Sequence, residues 1–342
     1  MEVIVNVQSS VSGRECVGPV VSNALTKLLG CRYPIMASGM GGVSRYKLAE
    51  AVSNAGGFGV LGMVREPVGR IVSEVTLYRQ CSECPVAVNL IPAATDNRLL
   101  ADQVNALIAL KVEYVVLFWD VDRELISRLR SAGIVVICQV GSIEDIQLAL
   151  RAEADALIVQ GWEAGGHIRG TAALFSLLPV AVKMSPVPVI ASGGISTGAG
   201  IAACIRLGAQ GVSLGTAFVA THESNAHDLH KRRIVAANVD DTIYTHRFYL
   251  NWPMAAPVRV LENSVTRGEY DFLRQCRKTP EIGMQDGKPV LLFSTDSPLA
   301  DATGDINAMP IYAGQSCGGI NSLVGARDRL NQLIKEWQVA ND

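Results

Sequence analysis

The stretch Ala156-Leu157-Ile158-Val159-Gln160-Gly161-Trp162-Glu163-Ala164-Gly165-Gly166-His167 joins an apolar run of strand character to a glycine-rich turn that ends in a histidine. The run is apolar throughout instead of alternating, which is the pattern of a parallel strand covered on both faces. The same unit recurs along the chain. Short aliphatic runs stand at 34–36, 57–61, 86–90, 114–118, 134–138, 156–159, 187–191 and 211–214. Between them, apolar residues at helical spacing mark 45–54, 67–79, 99–110, 123–131, 143–151, 172–182 and 198–207.

The punctuation agrees with this alternation. Ser44 is placed to cap the helix at 45–54 and Asp122 the helix at 123–131, while Ser142 with Asp145 opens the helix at 143–151. Gly56, Gly133 and Gly208 stand just past helix ends, where a left-handed residue is common. Eight strands with intervening helices specify an α/β fold, a (β/α)8 TIM barrel. An open doubly wound sheet is the alternative. After Phe218 the rhythm breaks down. Residues 240–309, with Tyr244, His246, Phe248, Tyr249, Trp252, Pro253 and Arg259, read as an inserted lid over the active site. The barrel then comprises 1–239 and 310–342. It returns at Tyr312-Ala313-Gly314-Gln315 and ends in an amphipathic helix at 321–338.

The chain has 342 residues, enough for one large core with an added cap. Hydrophobic residues make up 49% and charged residues 18%, the balance of a folded globular protein. With a formal net charge of -2 and no long basic block, nucleic acid is not expected as a partner. Lys231-Arg232-Arg233 reads as a solvated helix face. No apolar stretch reaches the roughly 18 residues that suggest a membrane span. Glu2 followed by Val3-Ile4-Val5 lacks the pattern of a secretory signal, so a cytoplasmic location with no membrane partner is expected. The eight cysteines show no framework spacing and read as reduced. Cys81-Ser82-Glu83-Cys84 has zinc or redox spacing, but no second pair completes a tetrahedral site. His222, His227 and His230 cluster at a spacing that gives one good helical pair; they read as an exposed polar helix, and no metal is expected.

Active sites of such barrels lie on the loops at the C-terminal ends of the strands. The informative residues fall there: Ser38-Gly39-Met40 after the first run, Asn89 after the third, Gln139 after the fifth and Gly165-Gly166-His167 after the sixth. Ser192-Gly193-Gly194 follows the seventh and Gly215-Thr216 the eighth. Glycine pairs let backbone approach a flat or anionic ligand. Free N–H groups beside a helix start satisfy a phosphate, and the last two loops are the recurrent phosphate site of this fold. Tight packing also demands glycine; their position on consecutive final strands favours phosphate. A phosphate-bearing cofactor with His167 facing its reactive part is therefore expected. A histidine can titrate near neutral pH and do acid–base work. Glu163 positions this loop, pairs with His167 or caps a turn, and Trp162 reads as packing. Cys138 ends a strand and reads as buried, which leaves no loop cysteine as nucleophile.

These motifs together resemble the nitronate monooxygenase family, formerly called 2-nitropropane dioxygenases, which is related to FMN-dependent enoyl-acyl-carrier-protein reductases and some NADH:quinone reductases. The matching residues are Pro34-Ile35-Met36-Ala37-Ser38-Gly39-Met40, Ala55-Gly56-Gly57-Phe58-Gly59, Val88-Asn89-Leu90, Gln160 to His167, Ala191 to Ile195, and Gly208-Ala209-Gln210-Gly211-Val212 with Leu214-Gly215-Thr216-Ala217-Phe218. Pro257-Val258-Arg259 with Asn263, and Tyr312 to Gln315, are similar to later motifs. The resemblance covers about 30–325 and implies a non-covalent FMN. It places Ser38, Gly39 and Met40 near the isoalloxazine ring, and Asn89 and Gln139 at the flavin's polar edge or ribityl chain. Gly166 becomes the close-approach glycine, and Gly193, Gly194, Gly215 and Thr216, beside Ser192, become the phosphate cradle. Gln315 matches a late residue near the cofactor and His167 the catalytic histidine. One place departs: many nitronate-oxidising members carry a His-Phe-Gly-type ending after the fourth strand, where this chain has Phe118-Trp119-Asp120. A carboxylate there repels an anionic nitronate or suits another substrate.

The expected activity is FMN-dependent oxidation of alkyl nitronates or nitroalkanes with dioxygen, giving a carbonyl compound and nitrite. NAD(P)H-dependent reduction of an enoyl thioester or quinone on the same FMN is the alternative. A non-redox barrel that binds a phosphate ligand is the reading from another class. The oligomeric state is open, a homodimer being compatible with the sequence.

Overall fold

The computed structural model describes residues 4–5, 20–252, 256–274 and 278–341. Pro253, counted above in the lid, lies outside them, as do Glu2 and Val3. Eight parallel strands close into a barrel in chain order: β1 (Ile35–Ala37), β2 (Phe58–Gly62), β3 (Ala87–Leu90), β4 (Tyr114–Phe118), β5 (Val135–Val140), β6 (Ala156–Gln160), β7 (Val189–Ser192) and β8 (Gly211–Leu214). Closure is made by β8 on β1, with Leu214 opposite Ala37. The doubly wound alternative is excluded, since an open sheet has two edges and this one has none.

Side chains alternate along each strand, and the two faces have separate fates. The inward set includes Met36, Phe58, Val60, Ala87, Tyr114, Val116, Ile137, Ala156, Ile158 and Ile190, which fill the barrel. Phe58 meets Tyr114 edge-on with ring centroids 5.1 Å apart. Helix α1 (Ala24–Leu29) plugs the N-terminal end with Leu25 and Leu29. The outward set, with Ile35, Leu61, Val88, Leu117, Val136, Leu157 and Ala191, packs under the surrounding helices. These are α2 (Tyr46–Asn54), α3 (Val68–Cys81), α4 (Asn97–Ala109), α5 (Arg123–Ser131), α6 (Ile143–Arg151), α7 (Leu174–Met184) and α8 (Gly198–Arg206). Past β8 come α9 (Thr216–Val219), α10 (Asp228–Ala236) and α11 (Ala326–Val339), and α11 closes the outer ring against α8 and α2.

The caps at Asp122 and Ser142 form as the sequence indicates: each side chain accepts the N–H three residues on, at 3.0 and 3.1 Å. Ser44 does not cap α2. Its hydroxyl donates to Ser38 O (2.8 Å) and accepts the Met40 N–H (3.2 Å), so it braces the loop after β1. The N-terminal end of α2 is satisfied from a distance instead, Tyr46 N donating to Glu74 Oε2 at 2.8 Å.

Residues 240–309, read from sequence without regular rhythm, carry two small antiparallel sheets. Thr242–Thr245 pairs with Val258–Leu261, and the other edge of that strand pairs with Gly166–His167. The hairpin Glu281–Gln285 with Lys288–Leu291 is joined by Thr303–Gly304. Among the described residues, no helix is long and apolar enough to cross a membrane.

Candidate active site

The inward face of the strands changes chemistry at its last position. Two residues beyond Met36, Ala87, Ile137, Ile158, Ile190 and Gly211 stand Ser38, Asn89, Gln139, Gln160, Ser192 and Ser213, and all six line one cavity of about 550 Å³. A buried apolar plug thus ends in a ring of hydroxyls and amides facing the cavity. Ser38 and Ser213 share a hydrogen bond (Oγ to Oγ, 2.8 Å), and Asn89 Nδ2 donates to Val116 O at 3.1 Å. Gly39 is needed where Asn89 turns inward, because a Cβ there would lie 2.3 Å from the Asn89 Cβ.

The loops after β7 and β8 complete one side of the cavity. Gly193 and Gly194 have φ of +105° and +73°, a region that side chains disfavour, so the turn itself demands glycine. Gly215 differs: its φ is -95°, and a Cβ there would meet nothing nearer than Met40 Sδ at 3.7 Å. Neither backbone nor packing requires a glycine there, which leaves close approach of a ligand as its physical use. No turn hydrogen bond among the described residues employs the N–H groups of Gly193, Gly194, Gly215 or Thr216. The Thr216 hydroxyl accepts the Gly314 N–H at 3.0 Å and keeps its own proton to donate. This donor set fits a phosphate monoester.

Gln160 anchors the opposite turn with both ends of its amide, donating to His167 O (2.9 Å) and accepting the Arg169 N–H (3.0 Å). The strand Val258–Leu261 holds the same turn from outside, Val258 opposite His167 and Arg259 opposite Gly166. Arg259 is itself buried; it donates to Trp162 O at 3.0 Å and lies 4.4 Å from the centre of the Trp162 ring. The His167 imidazole stacks on Trp252 with centroids 3.6 Å apart and 18° between planes, and Trp119 meets it edge-on at 6.3 Å. Its Nε2 is buried and has no hydrogen-bond partner among the described residues. Burial, and secondarily the Arg65 charge, push its pKa down to about 3, so the ring is neutral near pH 7. A neutral imidazole with a free buried nitrogen beside a cavity can take up a proton or bind a polar substrate atom.

The structure brings Ser38, Gly39, Met40, Asn89, Gln139, Gly166, His167, Ser192, Gly193, Gly194, Gly215 and Thr216 to this one cavity. Gln315 is not among its lining residues. A tight turn begins there, its N–H donates to Glu163 O at 3.0 Å, and neighbouring Tyr312 and Ser316 face the cavity instead. Of the three roles open for Glu163, the observed one is capping: its carboxylate accepts the N–H of Leu174, the first residue of α7, at 3.0 and 3.1 Å. Trp162 packs between Arg259 and Tyr244 and is not in the cavity wall. Asp120 is exposed and does not line the cavity; Phe118 does. Trp119, at a left-handed φ of 87°, turns the chain so that its ring packs inward.

His230 corrects the reading of an exposed polar helix. It is fully buried, lines the cavity and has Nε2 2.8 Å from Tyr312 O. Lys231 is buried too and donates to Ser224 O at 2.6 Å, so the basic run is only partly solvated. Gln160, Ser213 and His230 went unread as cavity residues. The first two carry a usable signal, the alternation that already places Ser38 and Gln139; His230 carries none. Cys84 Sγ donates to Ser53 O and Cys81 is exposed.

Comparison with known proteins agrees with this architecture. The family model described as nitronate monooxygenase matches residues 22–336. A Mycobacterium tuberculosis protein named (3aS,4S,5R,7aS)-5-hydroxy-7a-methyl-1-oxo-octahydro-1H-indene-4-carboxyl-CoA dehydrogenase is 37% identical over 226 residues, which is 65% of this chain and 62% of that one. The chain therefore matches less than two thirds of that relative's length. Among solved structures, FabK from Thermotoga maritima superimposes with a TM-score of 0.78 at 30% identity, covering 93% of this chain and 96% of that one. Nitroalkane oxidase from Streptomyces ansochromogenes gives a TM-score of 0.75 at 27% identity, covering 93% and 99%. With nearly the whole barrel and both glycine turns inside the matched span, the chain belongs to the nitronate monooxygenase family of flavin-dependent oxidoreductases.

Proposed function

We propose that this protein binds FMN and oxidises nitroalkanes and alkyl nitronates with dioxygen, releasing a carbonyl compound and nitrite. The carrying observation is the buried, unpartnered Nε2 of neutral His167 in the same cavity wall as the glycine turns. When bound, the flavin supplies the electron transfer. The chain supplies the rest. Gly193, Gly194, Gly215 and Thr216 would hold the phosphate; Ser38, Gly39, Met40, Asn89, Gln139 and Ser192 would receive the ribityl chain and ring. His167 would remove the α-proton of a neutral nitroalkane at Nε2. The aromatic wall of Phe118, Trp119 and Trp252 excludes water around that atom. Residues 240–309 would act as the lid, since Trp252, Lys288, Thr295 and Asp296 from this segment line the cavity.

A second reading is NAD(P)H-dependent reduction of an acyl thioester or quinone. It is favoured by the carboxyl-CoA dehydrogenase name of the Mycobacterium tuberculosis relative and by Arg65 and Lys288, two cations that line the cavity. Anaerobic mixing decides between them. Bleaching of the bound flavin by nitronate but not by NADH or NADPH is expected; the reverse would replace the first reading by the second. His167→Asn with bound FMN should lose turnover of neutral nitroalkane most strongly, and full turnover would remove His167 from the chemistry.

A further inference from the structure

We propose that Trp252 is a substrate-binding residue. Its indole N–H would hold the oxygen on which negative charge gathers while His167 takes the α-proton; this rests on the nitroalkane reading above. Trp252 Nε1 is out of solvent and has no hydrogen-bond partner among the described residues. Buried indole N–H groups ordinarily find one. An indole N–H can only donate, so what satisfies it must present an acceptor. Trp337 Nε1 is also unpartnered, but it does not line the cavity, whereas Trp252 does.

The placement completes a pair. Trp252 stacks on His167 at 3.6 Å, so the two unpartnered nitrogens belong to adjacent rings of two residues that line one cavity. The indole packs against the buried cluster of Ile91, Ala94, Phe118, Trp119 and Ala256, and Trp119 meets it edge-on at 5.2 Å. A donor in such apolar surroundings acts more strongly on developing charge than it would in water. The step balances within the substrate and these two groups. The α-carbon C–H bond breaks and its proton goes to His167 Nε2. The C–H electron pair becomes the C=N bond, and the nitro N=O pair moves onto oxygen, which accepts the hydrogen bond from Trp252 Nε1. No oxidant enters until the nitronate has formed. Burial keeps His167 unprotonated but also weakens it as a base, so the transfer depends on the nitronate charge that forms beside the new imidazolium.

The test uses the flavin-loaded enzyme. Trp252→Phe keeps an aromatic ring on His167 and removes the N–H. It should lower kcat/KM for nitroethane by about a hundredfold, the scale of one lost oxyanion donor. The loss for preformed ethyl nitronate should be smaller and lie in KM, because no proton is then removed. An equal loss on both, or none, would overturn the proposal. Independently, the four tryptophans give four indole 15N–1H signals, that of Trp252 being the one absent from the Phe variant. The signal should shift with nitrobenzene, which has a nitro group and no α-proton. A shift with butyryl-CoA alone would keep the donor role and remove the nitroalkane reading. No shift with either, at concentrations where flavin absorbance reports binding, would end the proposal.

Discussion

At the residue scale, Gly215 separates ligand approach from backbone need. An alanine fits its φ of -95° and meets no side chain within 3.7 Å. Gly215→Ala should therefore leave the urea midpoint of the cofactor-free protein unchanged and weaken FMN binding about tenfold or more in a fluorescence titration, a loss of about 1.4 kcal/mol. Unchanged FMN affinity would mean that no ligand comes close there. Buried His230 and partly buried His167 both contribute to the response to acid. Their pKa values are pushed down by burial from 6.5 to about 3 for His167 and about 4 for His230. Both folded-state values are depressed, so between those values and 6.5 the unfolded chain binds protons that the folded one does not, and stability is lost as pH falls through that window. Above 6.5 their contribution is complete. At pH 5 each costs on the order of 2 kcal/mol relative to pH 7. The urea midpoint should fall from pH 7 to pH 5, and His230→Phe should remove about half of the histidine share of that fall. A variant with the full wild-type slope would show that His230 protonates freely in the folded state.

At the element scale, the strand Val258–Leu261 ties the turn that carries His167 to residues far along the chain. Arg259→Leu would leave Trp162 O without its donor, at a cost of about 2 kcal/mol for an unsatisfied buried carbonyl. We expect that loss in urea denaturation, together with reduced turnover and retained flavin, because the turns after β7 and β8 are untouched. Flavin loss instead would mean that the strand supports the cradle as well. This element also marks the limit of what the sequence reveals. The barrel strands were legible because parallel strands buried on both faces read as apolar runs, and Gly56, Gly133 and Gly208 take the positive φ expected past helix ends. The polar ring at Ser38, Asn89, Gln139 and Ser192 was legible because it falls where those runs end. The pairing of His167 with Val258 was not, since antiparallel strands of a few residues, separated by 91 positions, leave no local period to count. Glu163 stayed ambiguous because a carboxylate four residues before a histidine fits either partner, and only the fold places the start of α7 on it. His230 was hidden by polar neighbours such as Asp228 and Arg232, which face the solvent that it does not.

At the scale of the whole molecule, the lining of one cavity is drawn from the C-terminal ends of β1, β3, β5, β6, β7 and β8 as well as from Trp252 and Tyr312. A ligand that bridges so many elements stabilises all of them against unfolding by mass action, by about 2.7 kcal/mol at a hundred times its Kd. The size of that shift depends on which part of the ligand finds partners. The four N–H groups at Gly193, Gly194, Gly215 and Thr216 suit a phosphate, and riboflavin, which has the same ring and ribityl chain, cannot use them. FMN should therefore raise the thermal midpoint of the cofactor-free protein in a concentration-dependent way, and riboflavin at the same concentration should raise it far less. In Gly215→Ala the advantage of FMN over riboflavin should narrow while the riboflavin shift itself stays put. Equal shifts by the two ligands in the native chain would place the binding energy in the ring alone, and the turns after β7 and β8 would then lose their assigned task.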